Sequence, residues 1–334
     1  MNFRLIAAIP VFLAIAPASQ ALTINPIFDS TVTSSAFSAQ IQTAFVTAAN
    51  VYSSNITNNA TINIQVSWGY IAGQSMGTGG LGASSDYYYQ NLPGAWIQSW
   101  LTTAAASPTA SKAQSSSAKY LPAAIAAASA YKFALPTAQA KALGLVNPVS
   151  GLDGYIGFGS AQKYTFSGAV LAGTYDFIAV AQHEIEEVLG RVSGINSPYV
   201  SYLTPFDLFR YVAPGVSTTS YTALSYFSID GGRTKLATFN NSTSGGDRGD
   251  LNGASAAVNN AFLSAGQTNY VLQNNFIMLD VLGYTSIPGA NTLPTLQSTQ
   301  LIVAHTDVPE PATLPLLAAG LVGLAGISRR GRSA

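Results

Sequence analysis

Three stretches of this sequence predict an α+β fold. Between Ser35 and Tyr52, the apolar residues Phe37, Ile41, Phe45, Ala48 and Tyr52 recur at the spacing of one helix face. Between Ile62 and Trp68, apolar Ile62, Ile64, Val66 and Trp68 alternate strictly with polar residues, the period of a half-buried strand. From Phe177 an apolar run carries a knot of charges and closes on Gly190, which reads as a buried helix with a glycine at its C-terminal end.

The remaining elements follow in order. Asn58-Asn59 breaks the chain between the first helix and the strand. Gly73 to Gly82 is glycine-rich and predicts a loop; it lacks the lysine of a phosphate-binding loop, so no nucleotide site is read there. Thr103 to Leu145 is heavy in alanine and punctuated by Pro122 and Pro136, predicting two or three helices packed on the sheet. Gly154 to Phe158 is a short strand preceded by Asp153. Asn275 to Tyr284 predicts an apolar helix closed by Gly283, completing a smaller C-terminal subdomain. Asp247, Asp250 and Asn252 lie in a glycine-rich segment whose spacing does not match an EF-hand, and a solvated loop is expected there.

Composition narrows the function. Formal net charge is zero and no basic patch exists outside the last residues, which excludes a nucleic-acid partner. Cysteine is absent, so the fold must rest on its core; with 48% hydrophobic residues the composition is that of a packed protein.

Both ends carry targeting signals. Arg4 supplies a positive n-region, Leu5 to Ala16 an apolar h-region, and Ser19-Gln20-Ala21 a small-residue cleavage site, so residues 1–21 are expected to be a signal peptide removed by signal peptidase. At the other end Val308-Pro309-Glu310-Pro311-Ala312-Thr313 precedes an apolar segment, 314–327, and the basic cluster Arg329-Arg330-Gly331-Arg332. This order of motif, spacer and basic end over 308–334 resembles the PEP-CTERM sorting signal. The resemblance implies a Gram-negative bacterium, transient anchoring in the inner membrane, processing by an exosortase, and an envelope or extracellular destination. Between the tags, residues 22–285 are expected to form the folded domain and 286–307 a linker.

The chemistry concentrates on the charged helix. Of four glutamates in the chain, three lie in His183-Glu184-Ile185-Glu186-Glu187, beside one of two histidines, where only 8% of all residues are charged. On a helix His183 and Glu187, four apart, share a face and can ligate one metal ion. Glu184 sits about 100° round the axis, placed to act on a water activated by that metal. A salt bridge between Glu187 and Arg191 on a purely structural helix is the competing reading. The pattern is HExxE, one residue away from the HExxH of zincins, in which two helical ligands hold zinc and the intervening glutamate is the general base. A carboxylate in the second ligand position shifts preference toward harder metals.

His183 to Arg191, together with Thr204-Pro205-Phe206-Asp207-Leu208-Phe209-Arg210-Tyr211, resembles metallopeptidases of zincin type that also carry PEP-CTERM tags. The resemblance implies a zincin-like fold: an N-terminal twisted sheet with helices, an active-site helix and the smaller C-terminal subdomain. It further implies a secreted zinc hydrolase of peptide bonds, with Glu184 as general base. An edge strand holds substrate in that family, and Tyr155 to Phe158 is its candidate here, a central core strand being the other reading. The pattern departs from metzincins, because Ser193 stands where their third ligand falls and no methionine lies between Met76 and Met278. Asp207, in an otherwise apolar segment, is expected as third ligand, or else paired with Arg210 or Arg191; Glu186 and then the acids at 247–250 are the substitutes. Tyr211 or Tyr202 is the candidate hydrogen-bond donor to the developing oxyanion. The rival function is a non-catalytic envelope or matrix protein on the same scaffold.

Overall fold

The computed structural model describes residues 21–196, 199–241, 245–253, 255–288 and 290. The expected signal peptide (except Ala21), most of the linker, His305 and the whole sorting signal lie outside the described residues.

The architecture is mixed α+β. A four-stranded sheet runs in the order Thr23–Phe28, Thr61–Trp68, Gly154–Phe158, Gly82–Asp86. The first three strands are parallel, and Gly82–Asp86 pairs antiparallel with Gly154–Phe158 at one edge. Alternation holds from Thr61 to Val66, with Ile62, Ile64 and Val66 fully buried, and then breaks: Ser67 is buried and Trp68, expected on the buried face, is only half-buried. Gly154–Phe158 is flanked on both sides, so its expected place at the edge is corrected. Two neighbours pair with it, Thr61–Trp68 in parallel and Gly82–Asp86 antiparallel, and on its face the Gly157 backbone is approached closely by Tyr70 and Ile71 of a separate hairpin, which leaves no room for a Cβ.

The first long helix spans Ser38–Ser53 and buries Ile41, Phe45, Ala48 and Tyr52 completely, while Phe37 precedes it and stays largely exposed. Burying a side chain the size of Phe45 stabilises by roughly 1.5–3 kcal/mol. Phe45 packs edge-on against Phe28 and Phe158, tying the helix to the sheet. The alanine-rich region forms three helices, Lys112–Ala118, Leu121–Ala127 and Thr137–Ala142. The glycine-rich segment folds into a short hairpin, Tyr70–Ile71 with Gln74–Ser75, and its last glycine opens the edge strand.

The charged helix spans Phe177–Val188, with Asp176 accepting from the Ala179 amide at its N-terminus. Gly190 follows it at φ 114°, a conformation costly for any residue with a Cβ. Phe177 anchors it to Phe158 and Phe166 at ring separations of 4.3 and 4.9 Å. A second, antiparallel sheet follows in the order Val216–Ser217, Arg210–Ala213, Tyr226–Phe227, Ala237–Thr238. Helix Gln273–Val281 ends before Gly283, at φ 105°. Among the described residues no helix is long and apolar enough to cross a membrane.

Candidate metal centre

Every residue of the charged helix but Ile178 is buried, so its charges must be answered inside the protein. His183 is 3% exposed and its Nδ1 lies 2.8 Å from the Val258 carbonyl oxygen. A carbonyl only accepts, so Nδ1 carries a hydrogen, and Nε2, which would have to give up its proton before ligating a metal, is the nitrogen turned toward the carboxylates. Nε2 lies 3.5 Å from Glu187 Oε1 and 3.5 Å from Asp250 Oδ1. The three residues place one ligand atom each within 4.8 Å of the others. Donors about 2.0–2.2 Å from a common ion fall in that range.

The residues fit a divalent cation on charge as well. Buried Glu186, Glu187 and Asp250 share one guanidinium, that of Arg191, itself wholly buried. Uncompensated charge of this kind is expensive in a protein interior, and a divalent ion would offset it. Burial pushes the Glu187 carboxyl up, but the hydrogen bond and charge of His183, then Arg191 and the Ser84 hydroxyl, outweigh it and hold the group down at about 2. Burial wins at Asp250, whose carboxyl is raised despite His183 and Arg191, with the Glu187 charge adding to the rise.

The edge strand supplies the wall facing the helix. Gly82, Ser84 and Asp86 alternate along it; Gly82 meets Glu184 and Ser84 meets Glu187, one helix turn apart, while Asp86 feels the Glu187 charge. Gly82 abuts Glu184: a Cβ there would come within 2.2 Å of Glu184 Oε1. Ser84 Oγ donates to Glu187 Oε2 at 2.7 Å, leaving Oε1 toward His183. Asp86 accepts from the Tyr88 hydroxyl at 3.0 Å, and burial and the Glu187 charge push its carboxyl well up.

Glu186 faces the other way. Its carboxylate accepts from the Tyr52 hydroxyl at 2.9 Å, Asn275 Nδ2 at 2.8 Å and Arg191 Nε at 3.1 Å, joining the first, charged and last helices. It is a structural hub.

Asp207, the expected third ligand, is committed elsewhere. Its carboxylate accepts from Ser193 Oγ at 2.5 Å and from the Gly194 and Thr204 amides, both at 2.9 Å. It caps the 3-10 turn Pro205–Phe209 and clamps the segment leaving the charged helix. The apolar surroundings that suggested a cation are answered by backbone N–H groups. The loop at 247–250, expected to be solvated, instead sends in Asp250 with its side chain fully buried. Tyr211 is likewise not brought to the site. It stands on the second sheet, its ring over Gly232, and its phenol is raised by burial and by Asp230, with Tyr120 and Tyr226 adding.

Residues 307–332 match the family described as the PEP-CTERM protein-sorting motif. That motif marks an exported protein, sorted at the envelope of Gram-negative bacteria and processed by an exosortase. No curated protein and no solved structure matches the chain.

Sequence reasoning missed Gly82, Ser84 and Val258, which act through strand register or a backbone carbonyl and leave no motif. Asp250 left a weak trace: one of two aspartates in a glycine-rich segment of a charge-poor chain.

Proposed function

We propose that the protein is an exported, zincin-like, metal-dependent peptidase, with His183, Glu187 and Asp250 as ligands and Glu184 as general base. The observation that carries the reading is the HExxE helix lying under an antiparallel edge strand, its two helical ligands joined by a third carboxylate from a distant loop. A bound divalent ion, zinc by resemblance and a harder metal by this donor set, would supply Lewis acidity. Glu184 would take a proton from water and pass it to the leaving amine. The free side of Gly82–Asp86 would pair with substrate backbone, as strand addition does. Asp207 and Tyr211 have no part in this reading.

A non-catalytic envelope protein that keeps the cation for stability is the second reading, favoured by burial: His183, Glu184, Glu187 and Asp250 are each at most 3% exposed. Metal analysis of the purified chain and peptide-library hydrolysis by Glu184→Gln separate the two. The peptidase reading expects metal retained and turnover lowered by about three orders of magnitude or more. Metal retained with no turnover in the unaltered protein leaves the structural cation; no metal in either protein sinks both.

A further inference from the structure

The third ligand arrives on a loop, and the structure shows what holds that loop. Arg248 N donates to Asn196 Oδ1 at 2.7 Å, and the Asp250 carbonyl accepts from the Asn240 amide at 2.7 Å. Two buried arginines grip the segment between. Arg191 reaches it from just beyond the end of the charged helix, donating from Nη1 to Asp250 Oδ1 at 2.8 Å and to the Gly249 carbonyl at 3.4 Å. Arg210 reaches it from the second sheet, donating from Nη2 to the Arg248 carbonyl.

Arg210 is itself tightly placed. It is 2% exposed, its Nη1 donates to Ser225 Oγ at 2.7 Å, and its guanidinium lies 3.7 Å from the centre of the Phe239 ring. A planar, multi-donor cation stacked on an aromatic face and bonded at two nitrogens has little freedom left. Its hold falls on a backbone carbonyl two residues before the ligand, with a glycine between them. Glycine leaves that short link free to swing unless both ends are fixed.

Resting on the metal-centre reading above, we propose that Arg210 is a positioning residue for the site: by fixing the Arg248 carbonyl it sets where the Asp250 carboxylate meets His183 and Glu187. The second sheet thereby becomes part of the metal centre without contributing a ligand. Groups that orient ligands in this way typically change metal affinity by about 10–100-fold when removed.

The test is calorimetric titration of Mn2+ and of Zn2+ into the metal-stripped full chain, with a thermal melt on every variant. Arg210→Met is expected to weaken binding by about 10–100-fold. Arg210→Lys, which keeps one charged donor, should recover part of the loss, and Ser225→Ala, which loosens the guanidinium, should show a smaller loss; these two decide the matter where Arg210→Met does not fold. Asp250→Asn weakens binding by itself, and adding Arg210→Met to it should produce no further loss, because the positioned group is gone. Folded Arg210 variants that bind as tightly as the unaltered protein overturn the proposal. So does an undiminished effect of Arg210→Met on the Asp250→Asn background, which would mark general loosening. An unaltered chain that binds neither metal fails differently, taking the metal centre down with the positioning role.

Discussion

The two sides of the candidate site are built in opposite ways. The Phe177–Val188 helix brings His183, Glu184 and Glu187 together by local geometry, because residues four apart on any α-helix share a face. The 247–251 loop has no regular structure to place Asp250. It depends on a guanidinium from the segment that follows the helix, another from the second sheet, and backbone hydrogen bonds to Asn240 and Asn259. A helix can carry ligands on its own account. A loop carries one only when the rest of the molecule fixes it.

The sharpest break of that contrast compares two aspartates. Asp250→Asn should cost the site about two orders of magnitude or more in metal affinity while the chain stays folded. Asp207→Asn should leave metal affinity nearly unchanged but lower stability by about 1–3 kcal/mol, since it disturbs a buried acceptor of four hydrogen bonds. Metal titration paired with denaturant unfolding reads both. Metal loss in the Asp207 variant at unchanged stability would return Asp207 to the ligand set.

The wall facing the helix can be sharpened at Gly82. An added Cβ would collide with Glu184 Oε1 and lie 2.7 Å from Val180 Cγ1, so the Glu184 side chain must move or strand and helix must part. Gly82→Ala is therefore expected to destabilise by about 1–3 kcal/mol. Gly73→Ala in the hairpin meets nothing within 4 Å, and any cost there comes from its φ of 79° alone. Equal melting points for Gly82→Ala and the unaltered protein would mean that the edge strand does not press on Glu184.

A pH effect comes from a carboxyl on the last helix, Asp280. Burial raises Asp280 to about 6, although the Ser286 amide and the Ser111 and Ser286 side chains favour its charged form. The native carboxyl keeps its proton up to about pH 6, whereas the unfolded chain releases it near 3.8, so the native state holds more protons between those values. Stability should then fall as pH rises across that window, by about 2–3 kcal/mol. Asp280→Asn should flatten this part of the profile in urea titrations between pH 4 and 6.5. Glu187 has the opposite sign. Held down at about 2, it contributes stability above its ordinary value of 4.5 that is lost as pH falls toward 2. An unchanged slope in Asp280→Asn would assign the dependence to other carboxyls.

The sequence by itself determined what periodicity and spacing encode. Strict alternation at 62–66, the helical recurrence of Ile41, Phe45, Ala48 and Tyr52, and the shared face of His183 and Glu187 are all local consequences of backbone repeat. The sorting motif is equally local, because its reader recognises a short linear segment. Only the tertiary structure decided which aspartate meets the helix. Asp207 and Asp250 both sit downstream of His183 in a charge-poor chain, and nothing in the order of residues tells a carboxylate answered by backbone amides from one aimed at an imidazole. The same holds for strand order: Gly154–Phe158 reads as a strand, but whether it is central or at an edge depends on partners from distant parts of the chain. Helical spacing is fixed by hydrogen bonds four residues long, whereas the third ligand and the edge are fixed by contacts that exist only once the whole chain has closed around them.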